Sequence, residues 1–304
     1  MKNKYYDVSA VREAIHAAPV PSISTPFLKN GEIDYKSLAT YTDFLVESGA
    51  KALLLTPGDS LFSLLSDKEQ LEVNRAVVDA CNHRAMVIGC EKGMYLSRMT
   101  EFAERYRDFG GDIMIPFAPE WCKHNSTENL IEYYKACGKI IPTMLLSCNN
   151  GGLPVSVYDE TGPSDGIVAV KDDMALPYGT KALPHIRDKM AYLSGGRMET
   201  FLYYAPYGAD GYLAVFARAF PQVDKMFWEK YNSGDLKGAV SVIEEYEIPF
   251  FKWCEENKVH FDSGIRGMIE IAGLATRYAR HPFDHLTDTQ IESLRNFLKD
   301  KKVI

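Results

Sequence analysis

The short apolar run Ile167-Val168-Ala169-Val170 ends on a lysine, Lys171, which two acids follow, Asp172 and Asp173. Residues two apart in an extended segment share a face, so Ile167, Ala169 and Lys171 point the same way. If that face looks into a closed sheet, an amine sits at the mouth of an apolar tube with the small Ala169 beneath it. Burial disfavours the charged form of such a group. A neutral amine attacks a ketone to form a Schiff base, and the iminium then acts as an electron sink for the adjacent carbon. The alternative is a strand-end lysine that turns outward, snorkels and pairs with Asp172 or Asp173.

Other residues bear on the same chemistry. Glu91 follows the run Met86-Val87-Ile88-Gly89-Cys90 and is placed to accept hydrogen bonds from a hydroxylated ligand or to stand in a solvated loop. Arg197, after Ser194-Gly195-Gly196, suits either a bidentate clamp on a carboxylate or a surface ion pair. The six cysteines, Cys81, Cys90, Cys122, Cys137, Cys148 and Cys254, form no C-x-x-C pair. No histidine is spaced to activate Cys90 or Cys148, so both read as small pocket or core residues. No nucleophile elbow, P-loop, H-E-x-x-H or EF-hand pattern is present. His281 and His285 flank Pro282 at a helix break and read as loop residues, and no metal site is expected.

These residues need a scaffold. The 304-residue chain carries 46% hydrophobic and 25% charged residues and a net charge of -7. That is globular composition with no overall field for nucleic acid or an anionic membrane. No apolar run approaches the ~18 residues of a membrane span. The start, Met1-Lys2-Asn3-Lys4, lacks the apolar core of a signal peptide, and the cysteine usage suits a reducing, cytoplasmic setting.

Eight short, nearly continuous apolar runs recur, beginning near Pro21, Ala52, Ala85, Asp112, Pro142, Ile167, Met190 and Gly211. Continuous apolar runs are how strands buried on both faces of a parallel sheet read. Amphipathic stretches separate them: 35–47, 66–81, 96–109, 127–139 and 176–189. The second opens with a capping box, Ser66 to Glu69, and Gly49, Gly110 and Gly138 stand at helix stops. The alternation predicts a (β/α)8 TIM barrel, with a doubly wound sheet as the alternative. The expected organisation is an N-terminal extension over 1–19, the barrel over 20–222, and a C-terminal helical region over 223–304 packed on it. A long helix is expected over 235–258, interrupted by Pro249.

Several segments resemble the dihydrodipicolinate synthase / N-acetylneuraminate lyase family of class I aldolases, from about Val20 to Leu298. They are Thr25-Pro26-Phe27, Gly49 to Leu55, Leu65-Ser66-Asp67-Lys68-Glu69, Gly110 to Pro116, Gly166 to Asp172, Gly208 to Gly211, and Arg280-His281-Pro282 with Leu286. The resemblance puts Lys171 on the family's Schiff-base lysine and Thr56-Pro57-Gly58-Asp59-Ser60 on its carboxylate-binding loop. It implies Thr56, Gly58, Asp59, Ser60, Ser147, Asn149, Gly195, Arg197 and Gly211 as substrate-binding residues. It further implies pyruvate or another 2-oxo acid and an aldehyde as substrates, no organic cofactor, and a homo-oligomer, dimer or tetramer.

The departures are specific. The family loop Gly-Thr-Thr-Gly-Glu is absent, and an inward Asp59 would repel a carboxylate, so a solvent-facing turn or cap is the role expected of it. The tyrosine that relays protons at the end of the fifth strand is missing from Leu146-Ser147-Cys148-Asn149; a water, Tyr204 or Tyr212 would have to replace it. The arginine of the synthase branch is missing after that strand, and Phe117-Ala118 replaces paired tyrosines. These losses argue against dihydrodipicolinate synthase itself. They leave a related aldolase or lyase, or a silent barrel that binds a small acid or serves as a structural or regulatory partner.

Overall fold

The computed structural model describes residues 3–93, 95–118, 126–148 and 152–304. Eight parallel strands form the barrel: β1 (Val20–Pro21), β2 (Ala52–Leu54), β3 (Met86–Cys90), β4 (Ile113–Ile115), β5 (Thr143–Ser147), β6 (Ile167–Asp172), β7 (Ala191–Ser194) and β8 (Gly211–Ala214). Each pairs with its sequence neighbour from β2 to β8, and β1 pairs with β8. A Ser22–Leu54 bridge, with Ile23 N donating to Leu54 O at 2.8 Å, closes the ring. Nearly every strand residue is buried, because helices cover the outside and side chains fill the inside. The expected TIM barrel is therefore the observed one.

The helices are α1 (Val8–His16), α2 (Tyr35–Glu47), α3 (Asp67–Cys81), α4 (Leu96–Asp108), α5 (Thr127–Gly138), α6 (Val155–Glu160), α7 (Leu176–Ala182), α8 (Met198–Tyr204), α9 (Pro221–Asn232), α10 (Leu236–Val242), α11 (Ile248–Glu256), α12 (Phe261–Ile271) and α13 (Asp288–Asp300). The capping box forms as read, with Ser66 Oγ accepting from Glu69 N and Ser66 N donating to Glu69. Gly49 and Gly110 adopt φ of 101° and 95° where α2 and α4 stop. Gly138 does something else: a Cβ there would lie 2.1 Å from the Asp165 carbonyl, so it permits close approach to the entry of β6.

The segment before the barrel is α1, and its buried Val11 and Ile15 close the end of the barrel at the strand starts. The helix that packs on β8 is α9, which starts at Pro221; its Phe227 and Trp228 meet Tyr212 of β8 and Phe201 of α8 edge-on or tilted. Pro249 does not break the chain's helical course. A π-turn over Ile243–Glu247 leads into α11, and Pro249 lies in its first turn, where a missing N–H costs little.

The C-terminal region is tied to the barrel through polar side chains. Arg280 donates to both carboxylate oxygens of Glu69, at 2.6 and 2.9 Å, and so holds the acid that caps α3. That hydrogen bonding draws the Glu69 carboxyl down to about 2. Glu247 accepts Met198 N at 2.9 Å and Glu199 N at 3.0 Å, capping α8 from outside. Among the described residues no helix is long and apolar enough to cross a membrane.

Candidate functional site

The register of the barrel decides which side chains face inward. Lys171 lies beside Leu146 of β5 and Leu193 of β7. Parity therefore turns Leu146, Lys171 and Leu193 toward the barrel axis, and Ser147, Asp172 and Tyr192 toward the helices. Beyond the strand ends opens a cavity of about 660 Å³. Thr56, Gly58, Asp59, Lys171, Asp173, Gly195, Arg197 and Arg218 line it, with Phe117, Leu146, Cys148, Phe251 and Phe261 among its apolar walls.

Lys171 is 2% exposed, yet it reaches this cavity. Its Nζ donates to both carboxylate oxygens of Asp173. The two sequence readings of this lysine thus merge: it points inward as a site lysine would, and it is paired with an acid. The partner is the second acid, because Asp172 turns outward. Asp172 accepts Tyr192 Oη at 2.5 Å and Met174 N at 2.9 Å. Asp173 is held by its own N–H donating to Ser147 O at 2.8 Å. A Cβ at position 195 would stand 1.5 Å from Asp173 Oδ1, so a glycine there makes room for the carboxylate.

The loop after β2 is tightly folded. Thr56 Oγ1 accepts Asp59 N at 3.0 Å, and Ser60 Oγ donates to Ile23 O at 2.7 Å and accepts Thr56 N at 3.2 Å. Ser60 is fully buried and braces the loop from behind instead of lining the cavity. Thr56 keeps a hydroxyl proton to give, and the Gly58 N–H makes no hydrogen bond among the described residues.

Asp59 is not the solvent-facing turn residue expected. Its side chain, 14% exposed, turns inward to Arg218, 3.6 Å away. The reason lies after β8, where the 3% exposed Arg218 needs a counter-charge. Arg218 also reaches Ser24 and lies 4.0 Å from Asp262, while Arg266 donates to Thr25 O at 2.9 Å. Burial works against the Asp59 carboxylate, but Arg218, with Lys171 beyond it, keeps its pKa below the ordinary value. Burial and the neighbouring Asp59 charge push Asp262 the other way, toward its neutral form. Arg218 Nε and Arg266 Nη2 are buried with no hydrogen-bond partner among the described residues. Lys171, Arg218 and Arg266 thus share the mouth with Asp59, Asp173 and Asp262.

The remaining expected positions divide. Arg197 lines the cavity with its guanidinium over the Phe251 ring, 4.2 Å from the centroid, and 3.4 Å from Glu199. Ser147 points outward and accepts Leu153 N at 3.2 Å. Gly211 is corrected: it starts β8 at the opposite end, where a Cβ would meet Ile15 Cγ2 at 2.6 Å. Asn149 lies outside the described residues. Of the candidate substitute tyrosines, Tyr204 donates to Met174 O at 3.2 Å and Tyr212 to Asp224 at 2.7 Å, and neither lines the cavity. Strand parity turns Tyr212 outward. Glu91 lines an outer groove beside α3 and α4 instead. Cys81, Cys90, Cys137 and Cys254 are buried free thiols, and burial holds the Cys90 thiol well above its ordinary pKa.

Sequence reasoning missed Arg218, Asp262 and Arg266 as site residues. The run Phe216-Ala217-Arg218 immediately after a strand end was the available signal for the first. The other two come from a helix outside the barrel, and nothing local marks them.

A family model described as "Dihydrodipicolinate synthetase family" matches residues 17–301. A Bacillus licheniformis protein named "Probable 5-dehydro-4-deoxyglucarate dehydratase" is 25% identical, over 90% of this chain and 91% of its own. Dihydrodipicolinate synthase from Oceanobacillus iheyensis superposes with a TM-score of 0.84 at 21% identity, covering 98% of this chain and 100% of that one. A prophage protein of the dihydrodipicolinic acid synthase family from E. coli K12, solved in complex with pyruvate, superposes with a TM-score of 0.81 at 19% identity, over 95% and 99% of the two chains.

Proposed function

Because the chain belongs to the dihydrodipicolinate synthetase family, we propose that it is a class I aldolase or lyase in which Lys171 forms a Schiff base with pyruvate or another 2-oxo acid. The enamine that follows makes or cleaves a carbon–carbon bond with an aldehyde. The observation that carries this reading is Lys171 itself, 2% exposed at the end of β6 and lining a cavity of about 660 Å³. The cavity is large enough for a small acid and an aldehyde together.

The substrate carboxylate sits against the loop after β2, where the Thr56 hydroxyl and the Gly58 N–H are the donors. Asp59 does not repel it, because Arg218 offsets that charge. Arg197, on the opposite wall, faces the distal end of the substrate. The apolar walls exclude water from the iminium. The expected assembly is a homo-oligomer, dimer or tetramer, which light scattering of the purified chain measures.

Borohydride trapping tests the reading. Intact mass after incubation with pyruvate and borohydride should show a stable adduct on the wild-type chain and none on Lys171→Ala. An unmodified wild-type mass with every member of a panel of 2-oxo acids would leave the family fold without this chemistry and favour a silent, acid-binding barrel.

A further inference from the structure

We propose that Asp173 is the proton carrier of this site, the group that moves protons between Lys171, the substrate carbon and the aldehyde oxygen. The inference rests on the Schiff-base reading and assigns the step for which the sequence offers no tyrosine.

Position is the first argument. Asp173 meets Lys171 Nζ with both carboxylate oxygens, and its side chain remains 31% exposed toward the cavity. A substrate joined to Nζ has its carbonyl carbon one bond away and the carbon that loses a proton two bonds away. A carboxylate in contact with Nζ is therefore within reach of that carbon, as general acid–base catalysis requires.

Elimination is the second. Among the described lining residues no tyrosine is present. Arg197 and Arg218 do not give up protons near neutral pH. Asp59 is committed to Arg218. Construction is the third: Asp173 N is anchored on Ser147 O, and the absence of a side chain at Gly195 leaves the space its carboxylate fills.

The steps balance. Asp173 takes a proton from the Lys171 ammonium, and the freed lone pair forms a C–N bond to the keto carbon while the carbonyl π pair moves to oxygen. A proton passes from nitrogen to that oxygen, giving the carbinolamine. Asp173 then returns its proton to the hydroxyl, which leaves as water as the nitrogen lone pair makes the iminium. Next the Asp173 carboxylate removes a proton from the adjacent carbon. That C–H pair becomes the carbon–carbon double bond, and the C=N π pair returns to nitrogen as the neutral enamine. When the enamine attacks an aldehyde, the aldehyde π pair moves to oxygen, and Asp173 delivers the same proton there.

Two readouts on the full chain separate this proposal from the one beneath it: borohydride trapping with pyruvate, and exchange of the pyruvate methyl protons in D2O followed by proton NMR. The expected result is that D173N still yields the trapped adduct on long incubation, while exchange falls by about 100-fold or more. D173E should recover part of the exchange. Gly195→Ala, which pushes the carboxylate off the amine, should lower exchange with the adduct retained. Should D173N not fold, Gly195→Ala and D173E are read by the same criterion. Exchange within about threefold of wild type in D173N, or in Gly195→Ala where that variant stands in, overturns the assignment. A wild-type chain that traps no 2-oxo acid overturns the Schiff-base reading, and Asp173 falls with it; that outcome is distinct, because the adduct itself is missing.

Discussion

The two ends of the barrel are built from the same eight strands and are opposite in character. At the strand starts α1 lies across the opening, with Val11 and Ile15 fully buried and Gly211 pressed against Ile15. Acids at that end serve the backbone: Asp112 accepts Val87 N at 2.9 Å and Asp210 accepts Tyr192 N at 2.7 Å. At the strand ends a cavity of about 660 Å³ opens. Charged groups are sunk there instead, and Arg218, Arg266 and Asp262 keep polar atoms without hydrogen bonds among the described residues. One end contributes apolar burial, about 1.5–3 kcal/mol per aliphatic side chain. The other retains desolvated charge, which costs stability unless a ligand completes it.

The largest effect should come from exchanging these roles. Lys171→Met is expected to abolish the trapped adduct while leaving the thermal midpoint near wild type, since it replaces one buried chain by another of similar volume and leaves Asp173, 31% exposed, to be solvated by water. Ile15→Ala is expected to do the reverse, costing about 2–5 kcal/mol by cavity formation with the adduct retained. Denaturant melts and trapping on both variants check the pair. Loss of the adduct in folded Ile15→Ala would show that the two ends are not separable.

Next in size is the charge cluster. Arg218→Met leaves Asp59 and Asp262 facing each other without a cation between them, and removal of one partner from a buried ion pair costs about 3–5 kcal/mol. Adding Asp59→Asn should recover a large part of that loss, a coupling that a double-mutant cycle measures. Arg218→Met melting with wild-type stability would mean that the mouth is less desolvated than the 3% exposure of Arg218 indicates.

How much of this was legible beforehand follows from how local each signal is. The strands were readable because both faces of each are buried, which leaves a run of apolar residues that no neighbour modifies. Lys171 was readable because a charge at the end of such a run breaks the pattern. Asp59 was misread because a T-P-G-D-S turn looks solvent-facing on its own; the cation that turns it inward is 159 positions later in the chain. Ser147 and Ser60 were placed in the site by the resemblance, whereas strand parity and the fold of the loop turn both away. Gly211 was implied by the resemblance, and only the position of α1 reveals that its missing side chain serves packing. Asp173 stood in plain view beside Lys171, but its role depends on the space at Gly195, which belongs to another strand.

The smallest predicted effect bears on the acids themselves. The acids of the closed end accept backbone N–H bonds, whereas Glu91, at the end of β3, is 1% exposed and keeps one carboxylate oxygen without a partner among the described residues. Burial, opposed by Arg98 and reinforced by Asp67, raises its carboxyl from 4.5 to about 7. The folded form thus holds a proton that the unfolded chain releases at lower pH. Its stabilising contribution is complete below about 4.5 and is lost as pH rises through about 7. Glu247, raised to about 7 by burial, slopes the same way, so the wild-type curve alone does not isolate Glu91. The difference between wild type and Glu91→Gln does. Glutamine keeps the shape and stays neutral, so the variant should gain on wild type across that window by on the order of 2–3 kcal/mol at most. Denaturant melts at intervals from pH 4.5 to pH 8 measure it. A constant difference between the two curves would mean that Glu91 titrates as a solvated acid and that the open end hides less charge than its geometry implies.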